Sequence, residues 1–109
     1  NSDVPVEIDA KPTIADGIAS SKTLRLTEVL AALRETDGAS IAVSEEEICS
    51  ALRLLSEGGF FVEPTTAAGA AGLSRLMADG SIGRDERVIL ILTGSGLKAV
   101  DKIATALQV

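Results

Sequence analysis

The chain has no histidine, tryptophan or tyrosine, a single cysteine (Cys49), and only two aromatic side chains, Phe60 and Phe61. Each gap removes a class of chemistry. One thiol and no imidazole exclude an intramolecular disulfide, a Cys/His zinc site and any histidine-dependent acid–base step from these 109 residues. They also fit a reducing, cytoplasmic setting. No apolar run approaches the roughly 20 residues that a membrane span needs, and the N-terminus lacks the basic-then-apolar order of a signal peptide. A soluble chain without a membrane partner is expected. Positive charge is in deficit as well: 10 basic against 16 acidic residues leave a net charge of −6, a field that repels phosphate backbones. Nucleic acid is therefore excluded as a partner.

What remains is aliphatic. At 46% hydrophobic residues the chain holds enough apolar material for one core, built from Leu, Ile, Val and Ala. Such a core suits helices packed on a sheet. Two of the three prolines fall in residues 1 to 22, which show no sustained period and read as a connecting arm; residues 23 to 109 read as the α/β segment. The opening Asn1-Ser2-Asp3-Val4-Pro5 has no initiator Met, which fits a start inside a longer polypeptide or a trimmed end.

From Thr27 the pattern turns helical, with Leu26, Val29, Leu30 and Leu33 as one apolar stripe that Asp37-Gly38 stops. Residues 39 to 43 (ASIAV) read as a short strand. Ser44 and Glu47 form a capping box for the next helix, and Glu45, Glu46 and Glu47 favour its positive end. We read this acidic triplet as helix initiation, not a metal site. Ile48, Leu52 and Leu55 supply the buried stripe, with Cys49 beside it as a small core residue. Gly58-Gly59 ends the helix, and Phe60-Phe61-Val62 reads as a buried strand stopping at Glu63-Pro64. Thr65 or Thr66 is expected to cap a helix running to about Asp79-Gly80. The apolar run 88 to 92 forms a third strand, and a last helix from about Leu97 places Leu97, Val100, Ile103, Ala104 and Leu107 on one side. Strand and helix alternate three times, the pattern of a three-layer αβα fold with a parallel sheet buried on both faces.

In such sheets ligands collect at the carboxyl ends of the strands. Two junctions there stand out. Thr93-Gly94-Ser95-Gly96 follows the third strand; its glycines either make a tight turn or clear space for a flat or anionic ligand beside the Thr93 hydroxyl. A hydroxyl there can donate to a ring nitrogen that carries no proton, whereas a carboxylate would keep that nitrogen protonated. Glu63 follows three apolar residues and must reach water, a partner or a ligand, because an unpaired buried carboxylate is costly. The run Ala67-Ala68-Gly69-Ala70-Ala71-Gly72 gives a helix face of minimal radius, suited to close packing.

Four blocks, IADGIAS (14 to 20), IAVSEEEI (41 to 48), FFVEPTTAAGAAGL (60 to 73) and VILILTGSGLK (88 to 98), occur in an order and spacing that resemble the C-terminal portion of the fold-type-II pyridoxal-phosphate enzymes, the tryptophan synthase β superfamily. Threonine synthases are the nearest likeness within it, with threonine dehydratases and serine racemases further off. The resemblance implies that Thr93 faces the pyridine nitrogen, with Gly94 making room for the ring and Glu63 and Ser95 beside it. Thr65, Thr66 and Asp16 would line the cleft. Ser95 departs from the His or Asn frequent at that position in threonine synthases, which leaves the substrate open. The family's cofactor lysine and Gly-rich phosphate loop belong to an N-terminal region outside this chain, and Lys98 reads as a surface charge, not a Schiff-base lysine. The segment would therefore carry no catalytic residue, would be inert and would not hold pyridoxal phosphate alone. Its implied partners are the N-terminal part of the enzyme and an amino-acid substrate. The implied reaction is β,γ-elimination and replacement on O-phosphohomoserine to give threonine. The alternatives are a threonine or serine dehydratase-like segment, or a non-catalytic half-fold serving as a binding or homo-oligomerisation module.

Overall fold

A computed structural model describes residues 9–108, so the first eight residues of the expected arm lie outside the described residues. Four α-helices follow one another: α1 (Leu26–Glu35), α2 (Glu45–Glu57), α3 (Pro64–Ala78) and α4 (Val100–Leu107). Short 3-10 turns occupy Asp16–Ile18 and Gly96–Lys98.

Local chemistry sets most of the helix ends. At α2, Ser44 Oγ accepts from Glu47 N at 3.2 Å and Glu47 Oε2 accepts from Ser44 N at 2.6 Å, the reciprocal pair that the spacing predicts. α1 closes with Gly38 N on Leu33 O at 2.8 Å, and Asp37, not Gly38, takes the left-handed conformation, at φ 50°. α2 closes in the same way, with Phe60 N on Leu55 O at 2.8 Å and Gly59 at φ 88°. α3 begins differently from the expectation: Pro64 is its first residue and Glu63 its N-cap, so neither Thr65 nor Thr66 caps it. A proline at the first helical position gives up no hydrogen bond and arrives with its φ already helical.

The core lies where α2 meets α3. Ile48, Ala51 and Leu52 of α2 face Ala67, Ala70 and Ala71 of α3, joined by Val62, Ile103 of α4 and, from the arm, Ala15. Cys49 is a free thiol at the edge of this core, half-buried. The small-residue run works as close packing: a Cβ on Gly69 would meet Leu90 Cδ1 at 3.2 Å. Arg75 of α3 ties the two helices on the outside through Glu47 Oε1 at 2.6 Å and Ala42 O at 2.5 Å.

The expected strands do not form a ladder among the described residues. Their one bridge joins Val62 and Ser95 and runs antiparallel, with Glu63 N donating to Gly94 O at 3.1 Å and Gly96 N to Phe61 O at 3.0 Å. Residues 39 to 43 and 88 to 92 carry no strand pairing, and Phe60 and Phe61 are exposed. Segment 88 to 92 is covered on one side only: Leu90 leans on the core, while Ile89 is 85% and Ile91 74% exposed. A strand is defined by the neighbour that accepts its backbone hydrogen bonds, and none lies alongside here. α1 likewise buries no residue fully: Leu26, Leu30 and Leu33 of its stripe are half-buried and Val29 is exposed. The last helix starts at Val100, not Leu97; the preceding 3-10 turn leaves Leu97 exposed. Among the described residues no helix is long and apolar enough to cross a membrane.

Candidate functional site

The Val62–Ser95 bridge brings the start of α3 against the Thr93–Gly96 turn, and a chain of polar side chains forms at that corner. Thr66, on the first turn of α3, is buried, and its Oγ1 accepts from Gly94 N at 3.1 Å. The Thr66 and Thr93 hydroxyls lie 2.9 Å apart. Thr93 Oγ1 donates to Glu63 Oε1 at 3.2 Å, and the other carboxylate oxygen meets Lys98 Nζ at 3.2 Å. Among the described residues every buried side-chain polar atom has a partner, and no group of carboxylates and thiols is placed to hold a metal ion.

Gly94 matters for the space it leaves, not for its torsion. A Cβ there would sit under 3.0 Å from the Glu63 carboxylate, so any side chain at 94 evicts Glu63 from the corner. Thr93 is exposed beside it. It opens, with Thr65, Gly69, Gly72, Ile41 and Leu90, onto a groove of about 510 Å³ along α3. An exposed hydroxyl backed by a carboxylate, at a groove lined mainly by aliphatic side chains, can hold one polar edge of a flat heterocycle and leave its faces against apolar surface.

Of the residues singled out from the sequence, Glu63, Thr66, Thr93 and Gly94 converge. The side chains of the other three make their hydrogen bonds away from that cluster. Thr65 Oγ1 accepts from Gly17 N at 3.2 Å and so holds the arm against α3. Asp16 pairs with Lys102 of α4, and that hydrogen bond, reinforced by the ammonium charge, holds its carboxyl below the usual carboxylate range. Ser95 Oγ accepts from Leu97 N at 3.2 Å and caps the 3-10 turn. One member of the corner, Lys98, was missed by sequence reasoning. Its spacing of five from Thr93 carries no helical or strand signature, because an extended residue and a 3-10 turn intervene.

Comparison with known proteins identifies the family. A family model described as pyridoxal-phosphate dependent enzyme matches residues 2–94. The chain is 42% identical over 90 residues to the threonine synthase of Methanocaldococcus jannaschii, covering 82% of this chain and 22% of that protein. Against the threonine synthase of Mycobacterium tuberculosis it is 38% identical over 90 residues, covering 82% of this chain and 25% of the relative. The Halalkalibacterium halodurans threonine synthase is 37% identical over 92 residues, with 84% and 26% covered. The chain thus spans about a quarter of the length of the curated relatives it matches.

Proposed function

The chain belongs to the pyridoxal-phosphate dependent enzymes, and from that premise we propose that it forms the ring-nitrogen wall of a threonine synthase-like active site. The observation that carries the proposal is the convergence of Thr93, Thr66 and Glu63 around Gly94 beside an open groove. The corner fits one edge of the cofactor: it has the exposed hydroxyl and, beside it along α3, a groove for a planar ring. When bound, pyridoxal phosphate supplies an electron sink for charge developing on an amino-acid substrate. Thr93 would hold the ring nitrogen by its hydroxyl, Glu63 and Thr66 would keep that hydroxyl at the corner, and Gly94 would leave the space that the Glu63 carboxylate fills. Ser95 lies next to the ring edge in this reading, and Thr65 and Asp16 keep the arm on the cleft side of α3. No acid–base residue, phosphate grip or covalent anchor is assigned to this chain, and alone it would be inert.

The substrate we favour is O-phosphohomoserine, turned into threonine by β,γ-elimination and water addition, since the relatives above are threonine synthases. Residues 23 to 109 would be the C-terminal part of a larger α/β domain, with residues 1 to 22 as the arm leading into it. The exposed Ile89 and Ile91 support this, for they offer the apolar face on which a further layer of a three-layer sheet domain would rest. The partner is then the remainder of the enzyme, not a second copy of this chain.

The test is made in the full-length enzyme. With O-phosphohomoserine, threonine and phosphate should form in equal amounts. Thr93→Ala should lower kcat by about a hundredfold through misplacement of the cofactor, and Thr93→Ser should retain most of it. Release of a 2-oxo acid and ammonia from threonine or serine would replace the synthase with a dehydratase. An unaltered rate in Thr93→Ala would remove Thr93 from the site.

A further inference from the structure

We propose that Lys98 is a positioning residue that keeps the Thr93 proton available to the cofactor's ring nitrogen. This rests on the placement of Thr93 given above and adds a residue and an electrostatic task to it. A threonine hydroxyl has one proton, and at this corner several acceptors compete for it. Thr66 is the weakest competitor. Its Oγ1 already accepts from Gly94 N, and its own proton can go to Thr93 Oγ1, 2.9 Å away, or to Gly94 O at 3.4 Å. The contest is therefore between Glu63 and the ring.

Left alone, Glu63 would win it. A hydrogen bond from a hydroxyl to a carboxylate is roughly twice as strong as one between neutral groups, and is short, about 2.5 to 2.7 Å. The Thr93–Glu63 bond is long for that class, at 3.2 Å. Lys98 bears on the same carboxylate. Its ammonium lies 3.2 Å from the far oxygen of Glu63, and the Glu63 side chain is only 18% exposed, so water screens this pair less than it would a surface pair. The ammonium offsets the charge that would otherwise draw the Thr93 proton. Thr93 donates to Glu63 here, and a carboxylate partly neutralised in this way yields that hydrogen to a ring nitrogen brought within reach. Lys98 itself is 66% exposed and sits in a 3-10 turn five residues from Thr93.

Substituting Lys98 by methionine should hand the proton to Glu63. The Thr93 oxygen would then present a lone pair to the ring, favouring a protonated ring nitrogen. The experiment uses the full-length enzyme loaded with pyridoxal phosphate labelled with ¹⁵N in the ring, read by the ring ¹⁵N resonance and by the cofactor's dissociation constant. Wild type should show the unprotonated position. Lys98→Met should move the resonance upfield toward pyridinium and weaken cofactor binding about three- to tenfold, the value of one hydrogen bond. Lys98→Arg should stay near wild type, and Glu63→Gln combined with Lys98→Met should return toward it, which also gives a readable pair if the single variant misfolds. An unchanged resonance and dissociation constant in Lys98→Met overturns the proposal, as does a wild-type ring that is already protonated. If Thr93→Val leaves the resonance where it was, the placement of Thr93 fails instead, and this inference fails with it.

Discussion

At the scale of single residues, the corner at Gly94 is over-determined by contact. The Glu63 carboxylate occupies the space a side chain at 94 would need, so Gly94→Ala should act through Glu63 and not through backbone strain. Displacing Glu63 frees Thr93 to rotate and releases Lys98 to solvent. In the full-length enzyme the expected result is a fall in kcat of up to about a hundredfold with the protein still folded. Steady-state kinetics with circular dichroism separate that outcome from simple unfolding. A fall confined to stability, with kcat unchanged in the folded fraction, would mean that Glu63 has no part in the site.

Helices α2 and α3 are joined by a core of alanines with Ile48 and Leu52, and by the Glu47–Arg75 pair on their outer edge. Glu47 serves two ends of this arrangement. Its carboxyl is held below the ordinary 4.5 first by the Ser44 backbone N–H, then by Arg75. A carboxyl depressed in the folded state stabilises it above the unfolded value, and that contribution is lost as the pH falls through the folded value. The stability gap between wild type and Glu47→Gln should therefore be open at pH 6, begin to narrow below about pH 4.5, and close at more acid pH. Urea unfolding of both proteins across pH 3 to 6 checks the sign; a gap that widens on acidification would show that the carboxylate is not the stabilising form.

For the molecule as a whole, the decisive feature is the uneven cover of segment 88 to 92. Leu90 is seated on α3 and the core, whereas Ile89 and Ile91 face outward. Isolated chain and full-length enzyme should therefore respond in opposite directions when these two isoleucines become lysines. In the isolated chain the change removes exposed apolar surface and should reduce self-association in sedimentation. In the full-length enzyme it places charge on a face covered by the next layer, and the yield of folded protein should collapse. Equal behaviour in both contexts would show that the face is never covered.

The sequence by itself determined whatever depends on residues three to five apart. The capping box of Ser44 and Glu47, the stops after Glu35 and Glu57, the stripe of Ile48 and Leu52, and the close-packing use of Gly69 were all legible, because helix ends and faces are set by near neighbours along the chain. The cap of α3 lies two to three residues before the expected Thr65 or Thr66, because the ring of Pro64 begins a helix unaided. Four blocks in register were enough to indicate the family, and with it the importance of Thr93, Gly94 and Glu63. The three-dimensional fold alone decided that Thr66 joins them while Thr65, Asp16 and Ser95 bind elsewhere, and that Lys98 completes the corner. Glu63 and Thr93 are thirty positions apart, and no local pattern reports which hydroxyl a folded turn brings to which carboxylate. The parallel sheet read from the apolar runs is undecided by this chain for a related reason: a strand's partner is another strand, and its hydrogen bonds exist only where a second backbone lies beside it.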